Sequence, residues 1–214
     1  YKRQVLFLGS SVTQGYGGGN ISFVDYIEKL DSVHAIKEVM GGTTVANITV
    51  GYAFDRNSYV SRLMKHDASE PVDCVVVQLS TNDATNMANG LPVGELSDSK
   101  NIEDIDDTTF VGGMEKIIAY SYQTWGCPVV VYSNANPRFD YAIYEDMIEL
   151  TRMVTDKWGA TFLDLYNDEE FNNQVSDEQF NFYMTNATHP NKAGYLEWWT
   201  PAFEECLYEL IGNK

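Results

Sequence analysis

Four short, unbroken apolar runs limit what this chain can become: Val5-Leu6-Phe7-Leu8, Cys74-Val75-Val76-Val77-Gln78-Leu79, Pro128-Val129-Val130-Val131-Tyr132 and Thr161-Phe162-Leu163-Asp164-Leu165. A strand with one wet face alternates apolar and polar residues. A continuous run therefore reads as a strand covered on both faces, the habit of parallel sheets. Ile36-Lys37-Glu38-Val39-Met40 is a weaker fifth run. Between the runs lie helical periodicities over residues 21–30, 58–65, 109–125, 141–158 and 192–211. Strands alternating with helices build βαβ units. The expected fold is α/β, with three layers and a roughly five-stranded parallel sheet in the middle. The 214 residues read as one domain, 1–214, since roughly 150 residues per domain is the usual scale.

Composition narrows the partners. Fourteen basic residues face 31 acidic ones, a net charge of −17, which argues against duplex nucleic acid and anionic membrane surfaces. No apolar stretch approaches the roughly 20 residues of a spanning helix, so membrane insertion is not expected. No signal peptide opens the chain, and Tyr1 in place of Met points to a trimmed upstream segment. Compartment stays open, with the cytoplasm favoured over export, and oligomeric state is open too. Three cysteines, Cys74, Cys127 and Cys206, without a CxxC or Cys/His cluster, speak against a disulfide framework and a zinc site. Residues 84–108 lack periodicity and carry many acids, among them Glu95, Asp98 and Glu103. A calcium loop starting at Asp98 would put Lys100 at a ligand position, so this stretch reads as a solvated excursion near the site.

Ligands of open parallel sheets bind beyond the carboxyl ends of the strands. The loops there read Gly9-Ser10-Ser11-Val12-Thr13-Gln14-Gly15, Gly41-Gly42-Thr43-Thr44, Ser80-Thr81-Asn82-Asp83 and Ser133-Asn134-Ala135-Asn136-Pro137. Asn186-Ala187-Thr188-His189-Pro190 precedes the final helix. A hydroxyl nucleophile, one histidine base and uncharged amide donors make an acyl-transfer inventory. The first loop lacks the Lys of a P-loop, the last glycine of a dinucleotide fingerprint, and the second glycine of Gly-x-Ser-x-Gly.

Gly9-Ser10-Ser11-Val12-Thr13, Gly42, Ser80-Thr81-Asn82-Asp83 and Asn186-Ala187-Thr188-His189-Pro190, in that order, resemble the four motif blocks of the SGNH (GDSL-type) hydrolases, a family of esterases, lipases and acylhydrolases with a flavodoxin-like fold. The resemblance spans nearly the whole chain. It implies no metal or other cofactor, a small-molecule or saccharide ester as substrate, and a bacterial source. It also implies Ser11 as nucleophile, His189 as base and then acid, and an oxyanion hole from the Ser11 and Gly42 N–H groups and the Asn82 amide. Asn134 and Asn136 are expected to line the substrate pocket. Tyr16, Tyr141, Tyr144, Tyr195, Trp198 and Trp199 read either as core or as a sugar-stacking platform.

Three positions depart from the family pattern. Ser10 stands where Asp is usual, and Ser80 where Gly is usual. Asn186 stands where the family places the triad Asp; the same swap in a serine-protease triad costs about 10⁴ in turnover. A weakened enzyme, a Ser–His dyad and an inactivated variant all fit Asn186. An acyltransferase of the same fold and a carbohydrate-binding pseudoenzyme are the alternatives to hydrolysis. Asp83 is the nearest other carboxylate by motif.

Overall fold

A computed structural model describes residues 2–48 and 57–212 of the chain. Five strands, β1 (Arg3–Gly9), β2 (Val33–Val39), β3 (Cys74–Gln78), β4 (Val129–Tyr132) and β5 (Thr161–Leu163), form one sheet in the order β2-β1-β3-β4-β5. Every pairing is parallel, as the continuous apolar runs require. Successive strand residues serve opposite cores. Leu6, Leu8, Val75, Val77, Val129 and Val131 face one side. Val5, Phe7, Cys74, Val76, Val130 and Tyr132 face the other.

The first core is closed by α3 (Tyr59–Leu63), α5 (Phe110–Trp125) and α6 (Ala142–Trp158). The second is closed by α2 (Phe23–Leu30) and α7 (Thr200–Ile211), with Phe23 stacked on Phe203 at 3.9 Å. A π-type segment, Gly194–Trp199, leads into α7 and buries Tyr195, Trp198 and Trp199. The fold is the three-layer, flavodoxin-like α/β arrangement that the sequence predicts. The fifth run differs in place and burial: β2 starts at Val33, sits at the sheet edge, and is mostly half-buried. That explains its broken apolar pattern.

Residues 84–108 are tied down more firmly than an unpatterned acidic loop suggests. Their first residues belong to α4 (Thr81–Met87), and Leu91 and Ile105 are buried. Glu115, fully buried on α5, accepts hydrogen bonds from Ser97 N–H (2.9 Å) and Trp158 Nε1–H (2.9 Å) and pairs with Lys157. Lys157 also donates to the Ser97 and Ser99 carbonyls. The excursion is thus stitched to α5 and α6, while its acids Glu95, Asp98 and Glu103 stay exposed. Removing one partner of a buried ion pair leaves an uncompensated charge, at about 3–5 kcal/mol. Lys157→Met is expected to lower stability in urea unfolding by about 3 kcal/mol. Glu115→Gln should lose less, since it leaves no carboxylate unpaired. Equal stability of Lys157→Met and the native chain would remove this stitch from the account.

Candidate active site

The carboxyl edge of the sheet gathers the residues of interest. β1 ends at Gly9, and the chain turns at once into α1 (Ser11–Gln14), so Ser11 opens a helix directly above the strand. Gln78, the last residue of β3, holds this turn from below. Its side-chain oxygen accepts from Ser10 N–H (2.9 Å), Thr13 N–H (3.3 Å) and Thr13 Oγ1–H (2.7 Å). Tyr132 at the end of β4 adds a 2.7 Å contact to Thr13 Oγ1. Ser10 is fully buried in this knot, 3.3 Å from the Gln78 oxygen.

His189 arrives from the far end of the sequence. Its loop is pinched shut by Thr185 N–H to the His189 carbonyl (2.8 Å) and by a bridge between Met184 and Pro190. The loop lies against Gly17, where a Cβ would meet the Pro190 oxygen at 2.3 Å, so only glycine lets it close. Ser11 Oγ and His189 Nε2 are 2.7 Å apart. On the other side of the ring, Nδ1 is 2.9 Å from the Asn186 side-chain oxygen. Tyr16, largely exposed, tilts over the imidazole with centroids 5.1 Å apart. Burial holds the His189 imidazole below its ordinary range, which keeps the ring neutral and able to accept a proton.

The third component is the segment after β2. Gly42 adopts φ +80°, a left-handed conformation natural to glycine. Its surroundings are held by Gly41 N–H to Gln14 Oε1 (2.8 Å) and by the Thr43 carbonyl, which accepts from Asn82 Nδ2–H (2.9 Å) and Ser80 Oγ–H (3.2 Å). Ser80 also caps α4 through Asn82 N–H at 3.0 Å. Arg62 of α3 ties the loops together, donating to the Gly9 carbonyl (2.7 Å) and Thr43 Oγ1 (2.9 Å). Among the described residues, neither the Ser11 nor the Gly42 N–H has a hydrogen-bond partner. One Asn82 amide hydrogen is likewise left over, since Nδ2 carries two.

Asp83 does not stand behind His189. It is fully buried and accepts Val45 N–H at 2.9 Å, pinning the chain just beyond Thr44. Burial pushes its carboxyl up to about 7, against hydrogen bonds from Val45, Ser80 and Ala46 that pull it down. An aspartate in the unfolded chain titrates near 3.9. The folded state therefore holds a proton that the unfolded state releases between about pH 4 and pH 7, and stability falls as pH rises through that window. Thermal midpoints of the native chain are expected to drop from pH 5 to pH 7 and to flatten above it. Asp83→Asn should remove that part of the slope; an identical slope in the variant would assign it elsewhere.

The structure separates the two asparagines after β4. Asn134 lines a small notch with Thr81, Phe139, Tyr141 and Thr188, beside the residues that flank Asn82 and His189 in the chain. Asn136 instead ties its N–H to Asn172 Oδ1 (3.2 Å) and its side-chain oxygen to Arg138 N–H (2.8 Å), at a different polar hollow. The two asparagines thus line separate hollows. Of the six aromatics, Tyr144, Tyr195, Trp198 and Trp199 are core residues, and only Tyr16 and Tyr141 stay beside the site.

The side chain of His66 is buried between Glu38 (3.2 Å) and Glu70 (3.5 Å), while His34 is exposed beside Glu28. The cysteines offer no rival nucleophile: burial raises all three, to about 11 for Cys127 and Cys206. Among the described residues no cluster of His, Cys, Asp and Glu could hold a metal ion. Nor, among them, is any helix long and apolar enough to cross a membrane. Gln78, Gln14 and Arg62, which position both loops, were not singled out from the sequence. Gln78 alone carried a signal, a polar residue closing an apolar run.

A hydroxyl hydrogen-bonded to an imidazole, beside unpaired amide donors at the carboxyl edge of a parallel sheet, is a site shaped for acyl transfer. The family model of GDSL-like lipases and acylhydrolases matches residues 7–196, and the chain belongs to that family. Carboxylic ester hydrolysis is therefore its class of chemistry. No curated protein matches the chain. Among solved structures, a Lactobacillus plantarum protein superposes with a TM-score of 0.75 at 20% identity, covering 98% of this chain and 97% of the other. A catalytic mutant of an acetylxylan esterase from Geobacillus stearothermophilus gives 0.66 at 12% identity, over 99% and 95%. An extracellular lipase from Streptomyces rimosus gives 0.62 at 12% identity, over 95% and 99%.

Proposed function

We propose that this chain is a serine esterase that cleaves small acyl esters through an acyl-enzyme on Ser11, with O-acetyl groups on carbohydrate favoured over lipid. The observation that carries the reading is the 2.7 Å contact between Ser11 Oγ and His189 Nε2, beside the unpaired N–H groups of Ser11 and Gly42. Ser11 Oγ attacks the ester carbonyl as His189 Nε2 takes its proton. The carbonyl oxygen becomes an oxyanion facing the Ser11 and Gly42 N–H groups and the second Asn82 amide hydrogen. His189 returns the proton to the leaving alcohol. Water, deprotonated by the same nitrogen, then releases the acid.

Substrate size and kind follow from the surroundings of this centre and from the charge of the chain. The notch walled by Phe139 and Tyr141 and floored by the nearly buried Asn134 amide offers an aromatic shelf beside a polar group. The notch is small, in keeping with a short acyl group. The net charge of −17 would repel anionic lipid surfaces. The structural likeness to an acetylxylan esterase points the same way.

The test pairs p-nitrophenyl acetate hydrolysis near pH 8 with fluorophosphonate labelling read by peptide mass spectrometry. Release of p-nitrophenolate with the label on Ser11 is the expected result. A chain that hydrolyses nothing and takes up no label would leave a saccharide-binding protein as the better account.

A further inference from the structure

Asn186 stands where a carboxylate would orient the histidine, and the structure shows what it does instead. Its side-chain oxygen receives three contacts: Thr188 N–H at 3.0 Å, His189 N–H at 3.0 Å and His189 Nδ1 at 2.9 Å. Backbone N–H groups only donate, so the amide end turned toward them is the oxygen, not the NH₂. The same oxygen faces Nδ1, so Nδ1 carries the ring proton. Nε2 then presents its lone pair to Ser11 Oγ, 2.7 Å away.

We propose that the turn over residues 186–189 makes Asn186 a positioning residue that selects the base-competent tautomer of His189 without supplying a charge, so that this chain is a working enzyme with a neutral triad. The inference rests on the esterase reading and deepens it. In a serine-protease triad the Asp-to-Asn change costs about 10⁴ because the ring is left in the wrong tautomer. Here two backbone donors exclude the amide orientation that would do so.

What remains missing is only the negative charge opposite the imidazolium of the transition state. The ring is faced by Ser11 from α1, Tyr16 from the following turn and Asn186 from its own loop. None carries a charge at neutral pH, and Lys192, beyond the loop, packs beside Gly18. Burial is what shifts the ring, downward. The acid limb of the pH–rate profile should accordingly lie below the ordinary histidine range.

Two measurements on the intact chain test this. The first is the ¹⁵N spectrum of the native histidine rings at pH 8, with His189→Ala assigning the signal. A pyrrole-type Nδ1 and a pyridine-type Nε2 are expected. The reverse pattern overturns the proposal, and this readout does not depend on any activity.

The second is the pH dependence of kcat/KM on p-nitrophenyl acetate for the native chain, Asn186→Asp and Asn186→Leu. The aspartate should move the acid limb up by about one pH unit and raise the plateau less than about a hundredfold, since it adds charge to a ring already oriented. Leucine, which cannot accept from Nδ1–H, should lower kcat by about a hundredfold or more with little change in KM. A larger gain with aspartate, or a leucine variant equal to the native chain, overturns the proposal. If the native chain and Asn186→Asp are both inert while the tautomer is as expected, the esterase reading fails instead.

Discussion

Replacing Ser11 or His189 by alanine lowers kcat for p-nitrophenyl acetate by about 10⁴ to 10⁶, and replacing both lowers it no further than the worse single change. The reason is the relay itself. A neutral serine hydroxyl is a poor nucleophile until a base takes its proton, and His189 Nε2, 2.7 Å away, is the group placed to do so. Without the imidazole the hydroxyl keeps its proton; without the hydroxyl the imidazole has nothing to activate. The two losses are one loss counted from two sides. The residual rate in each variant comes from the amide donors around Gly42 and Asn82, which neither change touches. Effects that sum in the double variant would mean that the side chains act independently, and the relay would have to be abandoned. Thermal midpoints close to the native value are expected throughout, because Ser11 and His189 are only partly buried.

The sheet was legible in the sequence for a simple physical reason: strands covered on both faces need no alternation, and Val75-Val76-Val77 and Val129-Val130-Val131 say so directly. The loops that carry Ser11, Gly42, Asn82 and His189 could be located because they follow strands or precede the last helix, while the part each residue is expected to play came from the resemblance of those loops to the GDSL-type motif blocks. What stayed hidden is whatever depends on side chains meeting across long separations. Gln78 lies 68 positions from Ser10, whose N–H it accepts. Arg62 is 53 positions from Gly9, whose carbonyl it binds. Neither spacing leaves a periodic trace. Asn136 meets Asn172 across 36 positions in the same way, through its backbone N–H, a contact that no local pattern announces. The acidic stretch after α4 hid its anchoring in the same way, since Glu115 and Lys157 sit on two other helices.

Asn82→Ala is expected to lower kcat by about 10² to 10³ while leaving KM nearly unchanged. The geometry gives Asn82 two tasks on one nitrogen. One hydrogen of Nδ2 goes to the Thr43 carbonyl at 2.9 Å and fixes the amide plane; the second is left for an oxyanion. An ester carbonyl in the ground state gains little from that donor, whereas the full negative charge of the tetrahedral state gains much. The loss should therefore fall on kcat. Loss of the Thr43 hydrogen bond alone accounts for about 1 kcal/mol of stability, so a modest fall in the thermal midpoint should accompany the kinetic change without explaining it. Asn82→Asp separates the tasks further. It keeps the size of the side chain but sets a carboxylate against both the Thr43 carbonyl and the developing oxyanion, and it should be slower than alanine. If aspartate matched the native rate, Asn82 would be a scaffold for the Thr43 segment only. The oxyanion would then rest on the Ser11 and Gly42 N–H groups, the first steadied by Gln78 through Ser10 N–H and the second by Gln14 through Gly41 N–H.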